Sequence, residues 1–434
     1  MSNALKYHIQ NLGNFGHACL VFPDMSTKNR KRRSKNRNTP TVKEQQRIRR
    51  KREPRVAPAD IQEFVEAVIG DDFHAKQILS LANGVVGIIH SASLAIAAIG
   101  TGLAMARGLM PKHAIKQVDR LLSNDKISDR ELRASWVSFV VGQREELFVA
   151  FDWTEFDPDD HATIAAYLLT SHGRATPLLW KTISKRTLKR RRNHYEDALL
   201  LELHRLVPEG VRVTLVADRG FGDQKLYEFL HAELDWDYII RFREIIQVTT
   251  RQGETRPARD WLPPSGRATK LSGVTVTHEQ APVPAVVLVH AKNMKDPWCL
   301  ATSRADLTAS QVVKHYGKRF SIEETFRDLK DNRFGLGLYA THIGSTHRRD
   351  RMLFIAALAH ALLTMLGAAC ERIGLDRMLR ANTSKRRTHS LYRQGTMAYG
   401  MLDTLPDDWL EPLMKAFGEV IAEHQVTREI FAII

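Results

Sequence analysis

Four residues near the end of the chain combine side chains suited to phosphate chemistry with a helical spacing. Tyr316, Arg319, Glu323 and Lys330 lie in HYGKRFSIEETFRDLK, a segment rich in helix formers and without proline. At about 100° per residue, their spacing places them within an arc of roughly 60° on one helix. The pattern predicts a helix edge with an aromatic ring, two cations and a carboxylate, which suits a metal ion next to a phosphate.

This spacing, Y-x2-R-x3-E-x6-K, resembles the signature of the bacterial DDE transposases of the insertion-sequence-four family. Earlier segments are similar to the same family: FDWTEF around Asp152, LVADRGFG around Asp218, and DPWCLATS before the signature. The resemblance covers most of residues 85–400. It implies a ribonuclease-H-like catalytic domain in which Asp152, Asp218 and Glu323 are catalytic and hold the metal.

Three carboxylates brought together repel one another unless a divalent cation is present, and hard oxygen ligands select Mg²⁺, with Mn²⁺ as a substitute. Two such ions can activate water or a 3′-hydroxyl and stabilise the leaving oxygen. The residues alone leave neighbouring acids open as replacements, and Glu324 is the main rival of Glu323. The other acids are Glu155, Asp157, Asp223 and Asp328.

The same resemblance implies particular DNA contacts. It assigns Tyr316, Arg319 and Lys330 to the phosphate beside a flipped nucleotide at the transposon end. It assigns Trp298 to stacking on that base, with Phe320 as a candidate for a second stacking wall. Ion pairs on a helix surface and a core tryptophan over the sheet are the alternative interpretations.

Two clusters of basic residues suit contacts to the DNA backbone. Lys385, Arg386 and Arg387 lie in RANTSKRR, which resembles a stretch of the family, and we predict that they bind DNA. For the cluster between residues 185 and 192, DNA binding and a solvated charged face both remain open.

The basic charge of the chain is concentrated in one run. The net charge is +15, and residues 28–55 contain 14 Lys or Arg and 2 Glu, so this run carries +12 and the remainder 15 − 12 = +3. A run with so few apolar residues cannot fold alone. We therefore predict that residues 1–57 are a basic, disordered extension that attracts DNA phosphates.

The predicted elements give an α/β fold with helical regions on both sides. Residues 58–145 read as short helices of a DNA-binding domain, in which the helix that would read bases cannot be chosen. Residues 146–345 form the catalytic domain, with Asp152 in the first strand and Asp218 at the end of the fourth. A mostly β insertion lies at about 244–297, and residues 346–434 read as helical.

A stretch without charged residues, 84–106, has the length of a membrane span, but its modest hydropathy and central His90 favour buried helices. The cysteines Cys19, Cys299 and Cys370 are far apart in the sequence, so neither a zinc knuckle nor a disulfide framework is predicted. We expect a cytoplasmic, nucleoid-associated bacterial protein and no membrane partner.

These patterns predict a cut-and-paste DNA transposase. It would cleave the terminal inverted repeats of an insertion sequence and join the 3′-hydroxyls to target DNA. A homodimer is expected in the DNA complex, because each transposon end needs a site. A catalytically inactive or domesticated DNA-binding derivative is the alternative, and a membrane-associated protein is a third hypothesis.

Overall fold

The computed structural model describes residues 56–423. The basic run, Cys19 and the predicted extension up to residue 55 lie outside the described residues.

The chain first forms helices whose apolar residues face one another. Their bounds are α1 Pro58–Ile69, α2 Ala75–Ser91, α3 Ile96–Arg107, α4 Pro111–Leu122 and α5 Asp129–Val141. The spacing of apolar residues over 58–82 predicts one amphipathic helix, and this prediction is wrong. The chain turns at Gly70, whose φ of 65° is unfavourable for other residues, and His74 caps the next helix.

A ten-stranded sheet follows, in the order β3-β2-β1-β4-β5-β10-β9-β8-β6-β7. The strands are β1 Glu146–Phe156, β2 His161–Leu168, β3 Thr176–Ser184, β4 Arg212–Ala217, β5 Asp237–Phe242, β6 Gln247–Thr249, β7 Thr255–Pro257, β8 Thr269–Val276, β9 Ala281–Val289 and β10 Trp298–Thr302. β1, β4 and β5 are parallel, while the other pairs are antiparallel. The predicted insertion therefore supplies β6–β9, which extend the catalytic sheet.

Helices connect the strands. They are α6 Lys185–Leu188, α7 Arg192–Leu206, α8 Gln224–Ala232, α9 Ala309–Lys318 and α10 Phe320–Lys330. The composition of residues 185–206 predicts one basic helix, but the chain forms α6 and α7 there, and Arg190 between them has a φ of 60°. The signature segment, predicted as one helix, is also divided, at Arg319 between α9 and α10.

The C-terminal helices are α11 Thr346–Arg372, α12 Leu391–Met401 and α13 Asp407–Ala422. Single 3-10 turns lie at Gly70–Asp72, Asp157–Asp159, Arg219–Phe221, Ala258–Trp261, Leu338–Ala340 and Leu375–Leu379. α11 is buried along most of its length and packs on α2, α4, β3, α12 and α13. One core therefore runs from the first helices to the last.

α11 and α12 approach each other closely because glycine faces backbone at two points. A Cβ atom at Gly367 would lie 1.9 Å from the carbonyl oxygen of Leu391. A Cβ atom at Gly395 would lie 1.7 Å from that of Leu363.

Within the described residues, α11 is long and apolar enough to cross a membrane, but its apolar stretch is fully buried inside the protein. Helices α2 and α3 together would also be long and apolar enough, yet they are bent by 96° at their junction. The uncharged stretch 84–106 therefore forms parts of two helices. Buried core helices often have the same length and composition, so these features are weak evidence for a membrane span.

Candidate active site

Asp152 and Asp218 meet at one edge of the sheet because their strands are parallel neighbours. Phe151 in β1 pairs with Ala217 in β4, and each aspartate is the next residue in its chain segment. Both side chains line a cavity of about 680 Å³. The structure thus brings together two of the three acids that the sequence predicts to be catalytic.

Glu323 approaches the pair from α10, and Arg319 lies between them. The Arg319 guanidinium donates from Nη1 to Asp152 Oδ2 at 3.2 Å and from Nη2 to Glu323 Oε1 at 2.8 Å. Its side chain is only 4% exposed, whereas that of Asp152 is 25% and that of Glu323 is 50% exposed. The buried cation therefore links the acid of the sheet to the acid of the helix.

The electrostatics of the site centre on Asp152. Burial raises the pKa of Asp152 to about 6, Arg319 opposes this shift, and the charges of Glu323 and Asp218 add to it. The backbone N–H of Trp153 donates to Asp152 Oδ1 at 2.8 Å and fixes the carboxylate. Burial therefore makes the ionised form of Asp152 less favourable, and the charge of Arg319 offsets part of that free-energy cost.

The donor set matches a hard divalent cation in type, since it consists of carboxylate oxygens. As the side chains lie in this structure, no three His, Cys, Asp or Glu side chains among the described residues are close enough to share one metal ion. The metal site predicted for the three acids therefore stays a prediction. The positive charge between Asp152 and Glu323 is the Arg319 guanidinium.

Tyr316 is fully buried, and its hydroxyl donates to Asp218 Oδ1 at 3.1 Å. Burial next to Asp218 raises the pKa of Tyr316 to about 12. Trp298, the first residue of β10, meets the Tyr316 ring edge-on at a centroid distance of 4.8 Å. Trp298 also stacks with Phe320 at 5.9 Å, and Phe320 presents its outer side to solvent. The two predicted stacking residues contact each other.

Lys330 ends α10 and lies against β1. Its Nζ donates to the backbone oxygen of Glu155 at 2.6 Å and lies 4.6 Å from the centre of the Phe156 ring. Burial lowers the pKa of Lys330 to about 8. Tyr316, Arg319 and Lys330 therefore contact protein groups in this structure, and their predicted phosphate contacts stay predictions.

The rival acids have other partners. Glu324 pairs with Arg327 at 3.0 Å, and Asp328 pairs with Arg174 at 2.5 Å. Asp223 caps α8 by accepting from the Lys225 backbone N–H at 3.1 Å. The structure thus places Glu323, and not Glu324, against Arg319.

Glu155 accepts from Lys185 at 2.8 Å and from Arg192 at 2.9 Å. Asp157 also pairs with Lys185, so these two rivals belong to a network of their own.

The three residues of the C-terminal basic cluster, Lys385, Arg386 and Arg387, differ in their contacts. Arg387 forms a two-pronged ion pair with Glu371, both N–O distances being 2.6 Å, and donates to the backbone oxygen of Ser171. Lys385 and Arg386 are exposed. The DNA contacts predicted for these three residues are untested.

In the basic cluster between residues 185 and 192, some side chains pair with acids and others do not. Lys185 and Arg192 bind acids, and Arg186 pairs with Asp160 at 3.3 Å. The exposed side chains of Lys189, Arg190 and Arg191 form no ion pair with another described residue. These three residues precede Arg192, which lines the cavity.

Sequence reasoning missed three residues of the site. Glu196 lines the cavity and accepts from the Trp153 indole N–H at 2.7 Å. Burial raises the pKa of Glu196. Arg241 Nη1 lies 4.0 Å from Asp218 Oδ1. Trp153 was recognisable from its place beside Asp152 in FDWTEF, whereas nothing in the local sequence marks Glu196 or Arg241.

Residues 184–362 match the family model of the transposase DDE domain. This match supports a DDE transposase. The DDE domain match contains Asp218, Glu323 and the whole Y-R-E-K signature, while Asp152 lies before its first residue. Asp152 is connected to the DDE domain by structure, through the shared cavity and Arg319. No curated protein was found to match the chain.

A DDE transposase domain implies a ribonuclease-H-like fold, and a nuclease and strand-transferase enzyme whose substrate is DNA. Transposases with this domain generally use divalent metals. The finer assignment to the insertion-sequence-four family rests on the sequence resemblance described above.

Proposed function

We propose that this protein is a cut-and-paste DNA transposase of the insertion-sequence-four type. The observation that carries the proposal is that Arg319 joins Asp152 to Glu323, while Asp218 lies beside Asp152 at the same edge of the sheet. Asp218 and Glu323 lie inside the matched DDE domain. In this proposal the enzyme cleaves the terminal inverted repeats of its element and joins the 3′-hydroxyls to target DNA.

The three acids are the proposed catalytic residues, and Mg²⁺ is the proposed cofactor, with Mn²⁺ as a substitute. When bound, the metal supplies a stronger nucleophile and charge stabilisation at the phosphate. Asp152 and Asp218 are the carboxylates already at the cavity wall. Trp153 and Tyr316 hold one oxygen of each in place by hydrogen bonds.

The remaining signature residues are proposed to bind the DNA next to the acids. Arg319 and Lys330 offer cations to a phosphate, as a fork and as a point charge respectively. Phe320 offers an exposed aromatic face beside Trp298, on which an extruded base can stack. A homodimer in the DNA complex, acting in the bacterial cytoplasm, completes the proposal.

The test is cleavage of a supercoiled plasmid that carries the gene with its flanking DNA, in Mg²⁺ and in EDTA. We expect metal-dependent nicks at the repeat ends from the unaltered protein. Asp152→Ala, Asp218→Ala and Glu323→Ala should each abolish them. Glu324→Ala is the matched control on the neighbouring position and should keep cleavage.

Full cleavage by any of the three variants would refute the role of that acid. Binding of the flanking DNA without any cleavage would instead indicate the non-catalytic, domesticated DNA-binding derivative.

A further inference from the structure

The helices before the catalytic sheet differ in the charge that they expose. α1 exposes the acids Asp60, Glu63 and Glu66. α2 and α3 are largely buried or uncharged, and α5 exposes both Arg130 and Glu131. α4 differs from all of them because its exposed face is basic.

The basic face of α4 is a single stripe. At about 100° per residue, its members span an arc of roughly 140°. They are Lys112, His113, Lys116, Gln117 and Arg120, all exposed. The opposite side is buried and consists of Ala114, Val118, Leu121 and Leu122. The helix therefore needs its apolar side for the fold and leaves the stripe for another partner.

Most of the positive charge of this stripe has no acidic partner, and Lys116 is the member that pairs with an acid of α4. The side chains of Lys112, His113, Gln117 and Arg120 form no hydrogen bond or ion pair with other described residues. The acid of α4, Asp119, is bound by Arg348 at 2.9 Å and by Lys116 at 3.2 Å. Arg348 lowers the pKa of Asp119 by a hydrogen bond, with Lys116 contributing. A polyanion approaching the stripe thus meets little repulsion.

The shape of this region suits double-stranded DNA. Three residues, 108–110, join α3 to α4, and Gly108 has a φ of 64°. A short turn of this kind, often with glycine, is typical of helix-turn-helix proteins, in which the second helix enters the major groove. A helix about 10–12 Å wide fits a groove about 12 Å wide.

Exposed apolar side chains lie in the last turn of α3 and in the turn before α4. Met105 is 78% and Met110 is 62% exposed, and Leu109 lies between them. Exposed apolar groups beside a basic stripe match the thymine methyl groups that the major groove offers.

α4 is held firmly by α11. The Arg351 side chain is fully buried and donates to the backbone oxygens of Leu121, Asn124 and Ile127 at 3.4, 3.4 and 3.0 Å. It also pairs with Asp129, at the start of α5, at 2.6 Å. Because α11 packs on β3, a duplex on α4 would be fixed relative to the catalytic sheet.

We propose that α4 is the helix that docks in the major groove of the transposon-end DNA. In this arrangement Lys112, Lys116 and Arg120 contact phosphates, and Gln117 faces the base edges. The inference rests on the proposed function, since it takes the DNA at the element ends as the partner.

The first experiment measures the salt dependence of binding to a fluorescent mixed-sequence duplex of about 40 base pairs, by anisotropy in EDTA. Each phosphate contact adds about 0.9 to the slope of log K against log salt. The triple variant Lys112→Ala, Lys116→Ala, Arg120→Ala should therefore reduce the slope by about 2.7. A double variant, Lys76→Ala with Arg130→Ala, removes two exposed cations from other helices and should leave it unchanged.

The second experiment selects duplexes from a randomised pool. Gln117→Ala should relax the preference at one or two neighbouring base pairs and keep the salt slope. Circular dichroism and the thermal midpoint of each variant confirm that the fold is retained.

The outcomes separate the two proposals. If the unaltered protein binds DNA and the triple variant keeps its slope, the role of α4 is overturned while the proposed function stands. An unaltered selection profile for Gln117→Ala overturns its base contact. If the unaltered protein binds no duplex DNA, the proposed function fails, and the role of α4 with it.

Discussion

Arg319 should stabilise the metal-free protein, and a divalent cation should replace it when it is removed. The substitution Arg319→Met keeps most of the volume of the side chain but takes away the charge between Asp152 and Glu323. Both acids then lose a charge-assisted hydrogen bond, and the charges of the two carboxylates repel each other without screening by the guanidinium.

The expected size follows from burial. Breaking a buried ion pair by removing one partner costs about 3–5 kcal/mol. The Glu323 side chain is half exposed, so its share is small. The pKa of Asp152, about 6, lets the acid take up a proton when the cation is lost, which limits the cost further. We expect the free energy of unfolding to fall by about 3 kcal/mol in EDTA at neutral pH.

Mg²⁺ should reverse this loss. A ligand at one hundred times its Kd stabilises a protein by about 2.7 kcal/mol. In the unaltered protein the ion must first displace Arg319 from both acids, so its gain should be smaller. Urea unfolding followed by tryptophan fluorescence, in EDTA and in a series of Mg²⁺ concentrations, measures both quantities.

The matched control is Arg304→Met. Arg304 is equally buried and also joins two acids, Glu146 at 2.7 Å and Asp306 at 2.8 Å, away from the site cavity. Its loss should destabilise the protein without rescue by Mg²⁺. The reasoning is refuted if Arg319→Met is as stable as the unaltered protein in EDTA, or if Mg²⁺ restores both variants equally.

Three further predictions concern other residues. Since burial lowers the pKa of Lys330 to about 8, this side chain loses its charge as the pH rises from 7 to 9. The DNA affinity of the unaltered protein should therefore fall over this range relative to that of Lys330→Arg. A ratio of the two affinities that does not change with pH would contradict this prediction. Burial raises the pKa of Asp350 to about 6 from its ordinary 3.8, so the folded protein binds this proton more tightly than the unfolded chain, and that stabilisation is lost as the pH rises from 4 to 6. Urea titrations should show Asp350→Asn gaining on the unaltered protein by on the order of 3 kcal/mol between pH 4 and 7, whereas a pH-independent difference would rule this out. Gly395→Ala should lower the thermal midpoint by many degrees, because a Cβ atom would lie 1.7 Å from the Leu363 oxygen; Gly400→Ala, which meets nothing within 4 Å, is the control.

The strands near the acids could be predicted from the sequence, because a β-branched run ends at Asp218 and a segment with strand character, ELFVAFDWT, contains Asp152. Parallel pairing of β1 with β4 then places the two aspartates side by side. The signature spacing places Arg319 and Glu323 on one helix edge, and in the structure these two side chains contact each other.

The partners of these residues could not be predicted, since they depend on contacts across the fold. The break between α9 and α10 has no proline or glycine at Arg319, whose φ and ψ are helical. Its guanidinium reaches Asp152, 167 positions away in the chain. Whether a cation in a signature faces an acid or a solvent-borne phosphate is decided by such long-range packing, which spacing does not encode.

The position of β10 makes the insertion a permanent part of the molecule. β10 follows the insertion in sequence, yet it lies between β5 and β9 in space. A deletion of β6–β9 would remove one neighbour of β10 and leave its backbone N–H and C=O groups unpaired at an exposed edge of the sheet. Such a shortened protein would pair with other copies through this edge and aggregate. This segment is therefore a poor place for a deletion or for an inserted tag.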